Sequence, residues 1–328
     1  VQQNFSTIDV FTNAISFKEK ALKIFRFQHA NCEVYRNYIQ HLKIDMEQIN
    51  SVEKIPFLPI SFFKTHSVVA SKKTPEIVFK SSGTTGIVPS NHFVIDKRIY
   101  KKSMMNCFKN DFGKIEDYCF LALLPSYLEK ENSSLVYMVE QMMQISKHPE
   151  NGFYLYNHDE LNNKLIELES KKQKTILIGV TYALLDFAEK FQPKLNYTTV
   201  IETGGMKGRR EEWLKFQVHE YLQKSFQKNE IASEYGMTEL LSQFYAIKQG
   251  LFKMPSHAKI FIRDRHDPFQ ISSEIGVSGC VNIIDLANIN SCSFIATDDI
   301  GKIISNTTFE ITGRADNSDL RGCNLMID

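Results

Sequence analysis

From Lys97 to Phe226 the chain alternates between helical and strand-like patterning, and that alternation leaves few folds open. Lys97–Phe112 and 133–145 carry apolar residues at helical spacing, the second with a Met-rich face, and 118–124 and 175–180 are apolar runs of strand length. Asp159 is placed to cap a helix running to about Lys171, and 182–191 reads as helix. A strand at 199–201, a Gly-Gly turn at 204–205 and a helix over 210–226 follow. Strands that alternate with helices imply an α/β sheet covered on its faces. Such sheets bind ligands outside the carboxyl ends of their strands, so polar motifs just after strands carry the most weight.

The flanks differ. Phe17, Ala21, Leu22, Ile24 and Phe25 predict one or two amphipathic helices, and Ile55-Pro56-Phe57-Leu58-Pro59-Ile60 with Ser61-Phe62-Phe63-Lys64 predicts an extended, aromatic-rich connector packed on the body. From 258 to 312 the text becomes short β-like runs (259–263, 279–284, 293–297, 302–304, 309–311) between Asp, Asn and Gly turns. The expected organisation is a helical segment over 1–50, an α/β core over 51–257, and a β-rich subdomain with a short tail over 258–328.

Composition narrows the function classes. Hydrophobic residues are 43%, charged residues 23% and the formal net charge is +1, and nothing in that balance suggests the basic surface a nucleic-acid binder needs. The longest apolar run, Cys119–Leu124 in sequence numbers 119–124, is far too short to span a bilayer. The expectation is a cytoplasmic enzyme or binding protein, although Val1 is not an initiator Met. Cysteines at 32, 107, 119, 280, 292 and 323 have no CxxC spacing, and the nine histidines form no HExxH. They read as reduced, mostly buried thiols, with no dedicated metal site.

Lys80-Ser81-Ser82-Gly83-Thr84-Thr85-Gly86 is the densest cluster of small donors in the chain. Glycines bring backbone N–H groups close to an anion and hydroxyls add donors, so the segment can cradle phosphate. The Walker pattern fails, because only two residues separate Gly83 from Gly86, Ile87 replaces the Lys, and a strand rather than a helix follows. A surface turn is the alternative, but strand-like Glu76-Ile77-Val78-Phe79 hangs this loop from a rigid element.

Three later segments share that character. Gly204, Gly205 and Met206 follow a strand, where a flat ring can lie on the backbone, or form only a tight turn. In Ser233-Glu234-Tyr235-Gly236-Met237-Thr238-Glu239, Tyr235 can stack on a base, Thr238 can donate to phosphate and Glu239 can hold a hard cation. Thr238-Glu239 also suits a helix N-terminus. Ala296-Thr297-Asp298-Asp299-Ile300-Gly301 reads as a turn whose carboxylates can accept from sugar hydroxyls, and Gly313-Arg314-Ala315-Asp316 supplies a cation nearby in sequence.

In that order, these motifs resemble the adenylate-forming superfamily of acyl- and aryl-CoA ligases and peptide-synthetase adenylation domains. The resemblance implies that the loop with Lys80 wraps the phosphates of ATP, that Gly204, Gly205, Met206, Tyr235 and Gly236 contact the nucleotide, and that Thr238 and Glu239 hold phosphate and Mg2+. It makes Asp299 the ribose ligand and Arg314 a further nucleotide contact. Asp298 stands where that superfamily usually has Gly. Within it, the 55–64 connector, Leu124-Pro125-Ser126-Tyr127-Leu128-Glu129 with Asn132-Ser133-Ser134-Leu135-Val136, and the ending Leu320-Arg321-Gly322-Cys323-Asn324-Leu325 resemble LuxE-type acyl-protein synthetases, the fatty-acid-activating subunits of bacterial fatty acid reductase systems.

The resemblance implies attack of a fatty acid carboxylate on ATP, then acylation of Cys323, then delivery to a reductase or other acyl-transfer partner. A lid domain of roughly a hundred residues, a small-domain size, normally follows the Gly-Arg motif and brings in a Lys. Here fourteen residues follow Arg314 and none is Lys, so the lid is expected to be absent or vestigial. The aromatics of 57–63 and the Met face of 133–145 are candidates for an acyl pocket, or simply core. Two alternatives stay open: a CoA ligase related to phenylacetate-CoA ligase, marked by CoA-dependent release of thioester, and a non-catalytic nucleotide-binding subunit, marked by absence of ATP–pyrophosphate exchange.

Overall fold

The computed structural model describes residues 10–12, 14–81, 88–125, 131–204 and 213–315. They fall into two compact units. One takes the chain through Ser103, Thr238–Ser242 and the chain from Lys253 onward; the other takes Met104–Met237 and Gln243–Phe252.

The first unit begins with α1 (Phe17–Asn31) and α2 (Glu33–His41). Ser16 starts α1 with a reciprocal capping box, its hydroxyl accepting from the Glu19 N–H and the Glu19 carboxylate accepting from the Ser16 N–H. Ala21, Ile24, Phe25 and Gln28 are buried along one stripe. The connector becomes β1 (Leu58–Pro59) and α3 (Phe62–Thr65), and the glycine loop is flanked by β2 (Ile77–Lys80) and β3 (Asn91–Val94), an antiparallel hairpin pairing Lys80 with Asn91. α4 (Lys97–Phe112) carries the chain out of this unit.

The second unit holds β4 (Cys119–Leu123), α5 (Ser134–Ser146), β5 (Gly152–Phe153), α6 (His158–Ser170), β6 (Thr175–Val180), α7 (Thr181–Lys190), β7 (Thr198–Thr203), α8 (Lys215–Phe226), β8 (Ala232–Tyr235) and β9 (Phe244–Ala246). The sheet order is β5-β4-β6-β7-β8-β9, parallel except for the β8/β9 pair. Every residue of β4 and β6 is buried, as a parallel sheet covered on both faces requires.

After β10 (Phe252–Lys253), the first unit adds β11 (Ala258–Arg263), β12 (Ile271–Ser272), β13 (Ser278–Asp285), β14 (Phe294–Ser305) and β15 (Thr308–Arg314). Antiparallel neighbours run β15-β14-β13-β11-β12, and β1 pairs in parallel with β14 through Leu58 and Pro59.

Several expected boundaries shift. The helix predicted to start at Asp159 is capped by position Asn157, and Asp159 lies in its first turn, where its charge suits the helix dipole. The helix expected over 210–226 begins at Lys215, with Trp213 and Leu214 outside it and exposed. β7 continues through Glu202 and Thr203, so these are strand residues. Thr238 and Glu239 form a turn and begin no helix. The stretch 296–301, expected as a turn, lies inside the twelve-residue β14, as does the separate run expected at 302–304. The units also divide the chain elsewhere than at 50/51 and 257/258: Gln28 of α1 donates to the Asn288 and Ile289 carbonyls and accepts from the Ser293 N–H, tying the helical segment to the β-rich part.

Candidate functional site

In the first unit the glycine-loop hairpin is closed at its base by two hydrogen bonds, Ser81 N–H to the Ser90 carbonyl at 3.1 Å and Ser90 N–H to the Ser81 hydroxyl at 2.8 Å. Lys80 is exposed at the end of β2. Ser82, Gly83, Thr84, Thr85 and Gly86 lie outside the described residues, as do Gly205, Met206 and Cys323.

Ser90 also acts on the second phosphate-binding candidate, where its side chain favours the charged form of the buried Glu239 carboxyl. Burial pushes that carboxyl above its usual range, against the opposing pull of Ser90, Arg314 and Lys64. The turn itself is fixed from both sides. His92 Nδ1 is 2.8 Å from the Thr238 carbonyl, Asn288 Nδ2 donates to the Glu239 carbonyl at 2.7 Å, and His92 Nε2 is 2.9 Å from Asn288 Oδ1. Just beyond, the buried Asp285 carboxylate accepts from Leu241 N–H (2.8 Å), Ser242 N–H (3.0 Å), the Ser242 hydroxyl (2.6 Å) and Ala287 N–H (3.1 Å). Thr238–Ser242 is thus a segment with little conformational choice, pinned by residues that sequence reading missed. The available signals were a histidine two residues before buried Val94 on one strand face and an aspartate following the apolar pair Ile283-Ile284.

The ribose candidate sits on an irregularity that a turn prediction misread. Cys280 pairs with Ile300 and Asn282 with Ala296, so Thr297, Asp298 and Asp299 stand opposite the single residue Val281. This β-bulge is held by the Thr297 hydroxyl, which donates to the Val281 carbonyl at 2.7 Å and accepts from Asp299 N–H at 3.2 Å. Bulges re-aim side chains beside active sites. Arg314 is in register with Asp299. Its guanidinium lies 3.9 Å from Asp299 and 4.0 Å from Asp298. Gly301 is required where β14 and β15 close again, since a Cβ there would meet the Glu310 carbonyl at 2.5 Å.

In the second unit Gly204 adopts φ +77° after β7, a conformation that favours glycine, and its carbonyl accepts from the Thr181 hydroxyl at 3.3 Å. Tyr235 ends β8, half-buried, with its ring 5.9 Å from Phe244 and 5.7 Å from Phe252; Gly236 beside it is exposed. Glu202 and Glu234, also missed, are buried at the same strand ends. Phe57 and Phe63 are core residues of the first unit, and Met138 and Met142 of the second. Cys32, Cys107, Cys119, Cys280 and Cys292 are buried free thiols. Among the described residues no helix is long and apolar enough to cross a membrane.

Solved structures share this fold at low identity. The 2-hydroxyisobutyryl-CoA ligase complexed with its adenylate and CoA superposes with TM-score 0.70 at 11% identity, over 92% of this chain and 69% of that one. O-succinylbenzoate-CoA synthetase from Bacillus subtilis, solved with ATP and magnesium, gives 0.52 at 16% identity over 72% and 49%. A luciferase-like enzyme from the nonluminescent mealworm Zophobas morio gives 0.54 at 14% over 75% and 59%. The fold is that of adenylate-forming ligases. A long-chain-fatty-acid–luciferin-component ligase of Photorhabdus luminescens is 37% identical over 71 residues, 21% of this chain; the match spans 60% of that relative's length. The family described as acyl-protein synthetase, LuxE, matches residues 12–328, and the chain belongs to it.

Proposed function

We propose that the chain is an AMP-forming ligase that activates a long-chain fatty acid and passes the acyl group to the thiol of Cys323. A carboxylate is a poor acyl donor because its leaving group would be oxide. Its oxygen attacks the α-phosphorus of ATP, the bond to pyrophosphate breaks, and the mixed anhydride with AMP becomes the acyl donor. The Cys323 thiolate then attacks the acyl carbon, AMP departs, and the thiol proton passes to solvent. The resulting thioester suits delivery to an acyl-reductase or acyl-transfer partner.

The observation that carries this reading is the link between the glycine-loop hairpin, closed at Ser81 and Ser90, and the turn at Thr238, made by His92 on β3, whose Nδ1 lies 2.8 Å from the Thr238 carbonyl. Lys80 and the 81–86 loop serve the phosphates together with Thr238. Asp299 is assigned to the ribose, Tyr235, Gly236, Gly204, Gly205 and Met206 to the base, and Arg314 as a further cation. Magnesium fits Glu239, a single buried carboxyl whose ionisation burial opposes and a cation would restore. Mg2+ characteristically takes one or two carboxylates and completes its shell with water and substrate phosphates, so a cluster of protein ligands, absent among the described residues, is not needed. When bound, the ion supplies positive charge to the phosphate oxygens.

Incubation with ATP, Mg2+ and labelled fatty acids, followed by intact mass, tests the scheme. A hydroxylamine-sensitive adduct of acyl mass, lost in Cys323→Ser, is expected. AMP release without a protein adduct refutes the acyl-cysteine step, and release that needs CoA replaces the acceptor.

A further inference from the structure

The second unit holds a pair of buried carboxyls to which the scheme above gives no task. Glu202 on β7 and Glu234 on β8 lie near the carboxyl ends of adjacent parallel strands. Glu202 is level with Ser233 and Glu234 with Thr203, so the pleat sends the two acids to opposite faces of the sheet.

Their surroundings are unequal. Glu202 accepts from the Thr181 hydroxyl at 2.7 Å and the Ser233 hydroxyl at 3.0 Å, with His219 Nε2 at 3.7 Å and Lys215 Nζ at 3.8 Å. Burial alone would raise its pKa, but the nearby His219 imidazole, the Lys215 charge and the Thr181 hydroxyl outweigh burial and hold it below the usual range. Glu234 receives one hydrogen bond, from the Thr203 hydroxyl to Oε2. Among the described residues no other donor reaches it and no cation forms an ion pair with it. Burial first, then the Glu202 charge, push it up to about 7, with Thr203 and the more distant Lys215 opposing. Paired acids whose surroundings drive them apart divide into one charged and one protonated partner.

The second oxygen of Glu234 has a definite direction. Oε1 lies over Gly236 so closely that a Cβ there would overlap it. The φ of Gly236 is not in the left-handed region, so what the glycine provides is room for this carboxyl. A carboxyl more than nine-tenths buried thus presents one unpartnered oxygen beside the segment that follows β8, at the strand ends where parallel sheets hold ligands.

We propose that Glu234 is a substrate-binding residue acting as a neutral acid, whose Oε1–H donates a hydrogen bond to a carboxylate oxygen of the acid being activated. The identity of that ligand rests on the proposed function. A neutral donor accepts an anionic substrate where a second carboxylate beside Glu202 would repel it. A ring nitrogen of adenine is the competing acceptor, and separate measurements for the two substrates distinguish them.

The test is kcat/KM for the fatty acid across pH with ATP saturating. The wild type should fall as pH rises through about 7, reaching about a tenfold loss, the scale of one hydrogen bond to a charged group. Glu234→Gln keeps an N–H donor but cannot ionise, and its profile should lack that fall. Glu234→Ala should raise KM for the acid about tenfold at about pH 6, with a flat profile. An alkaline fall that persists in Glu234→Gln, or a rise confined to KM for ATP, overturns the proposal. Carbon-13 NMR titration of the Glu234 carboxyl without substrate reads the proton independently of turnover. A midpoint near 7 supports the neutral acid, and one near the ordinary 4.5 overturns it. Absence of AMP formation with any fatty acid, alongside a midpoint near 7, refutes the functional reading and not the protonation.

Discussion

Asp299 and Arg314 face each other in register across β14 and β15, yet the guanidinium Nε stops 3.9 Å from Asp299 Oδ1. The Arg314 side chain is 68% exposed and that of Asp299 20%, so solvent screens the pair in part. Asp299→Ala should weaken AMP binding about tenfold through a lost hydrogen bond to ribose. Asp298→Ala should change AMP affinity less than about twofold, because that residue's structural contribution is its carbonyl, which accepts from Ala315 N–H at 2.7 Å. Calorimetric titration with AMP separates the two.

Removal of Asp285 should act on both stability and rate. Asp285→Ala strands the Leu241, Ser242 and Ala287 N–H groups in a buried setting and leaves the Ser242 hydroxyl to Ser103 Oγ, 3.0 Å away. Each unsatisfied group costs about 1–3 kcal/mol, so a loss of at least about 3 kcal/mol is expected in urea unfolding. Adenylate formation should fall with it, since Thr238 and Glu239 are held by the same segment. Asp285→Asn, which keeps acceptor capacity, should recover part of each.

Acid should weaken the fold through two buried histidines. Burial lowers His92 to about 4 and His257 to about 3, against an ordinary 6.5. The unfolded chain binds these protons first, so the stability they contribute is present above about pH 6.5 and is lost as pH falls through 4 and 3. Glu239 and Asp285, raised by burial, act in the opposite sense. Urea midpoints between about pH 7 and pH 4 should decline less steeply in His257→Gln than in the wild type. An unchanged slope would remove His257 as a cause.

Thiol chemistry should be selective. Burial pushes Cys119 up to about 12 and raises Cys32 and Cys292, and Cys107 and Cys280 are also buried. Thiolate character and access govern reactivity. In the native protein a disulfide reagent should label Cys323 first, with the fast phase absent in Cys323→Ser and the other five thiols reacting only on unfolding.

Much of the fold was legible because the central sheet is buried on both faces. Uninterrupted apolar runs such as 119–123 and 175–180 have one reading at that length, and the motifs after them fell near strand ends. The misreadings have a common cause. Asp298 and Asp299 look like a turn because acidic residues favour turns, but the bulge opposite Val281 accommodates them within a strand. Thr238-Glu239 looks like a helix start, but Asp285, His92 and Asn288, brought from distant positions, supply the partners that a helix would have supplied. Glu202 and Glu234 were invisible as a pair because strand register alone brings them together.

The Tyr-Gly-Met-Thr-Glu motif is continuous in the chain, yet the division between the compact units falls inside it, after Met237. Five residues later the chain returns to the second unit, and at Lys253 it leaves again. Gene fragments cut at any one of these points would separate tyrosine from the threonine and glutamate, or detach Asp285 from the segment it anchors. For fragment complementation or chimaera building, the smallest exchangeable cassette is therefore the motif with both its flanks, and the two units are inherited together.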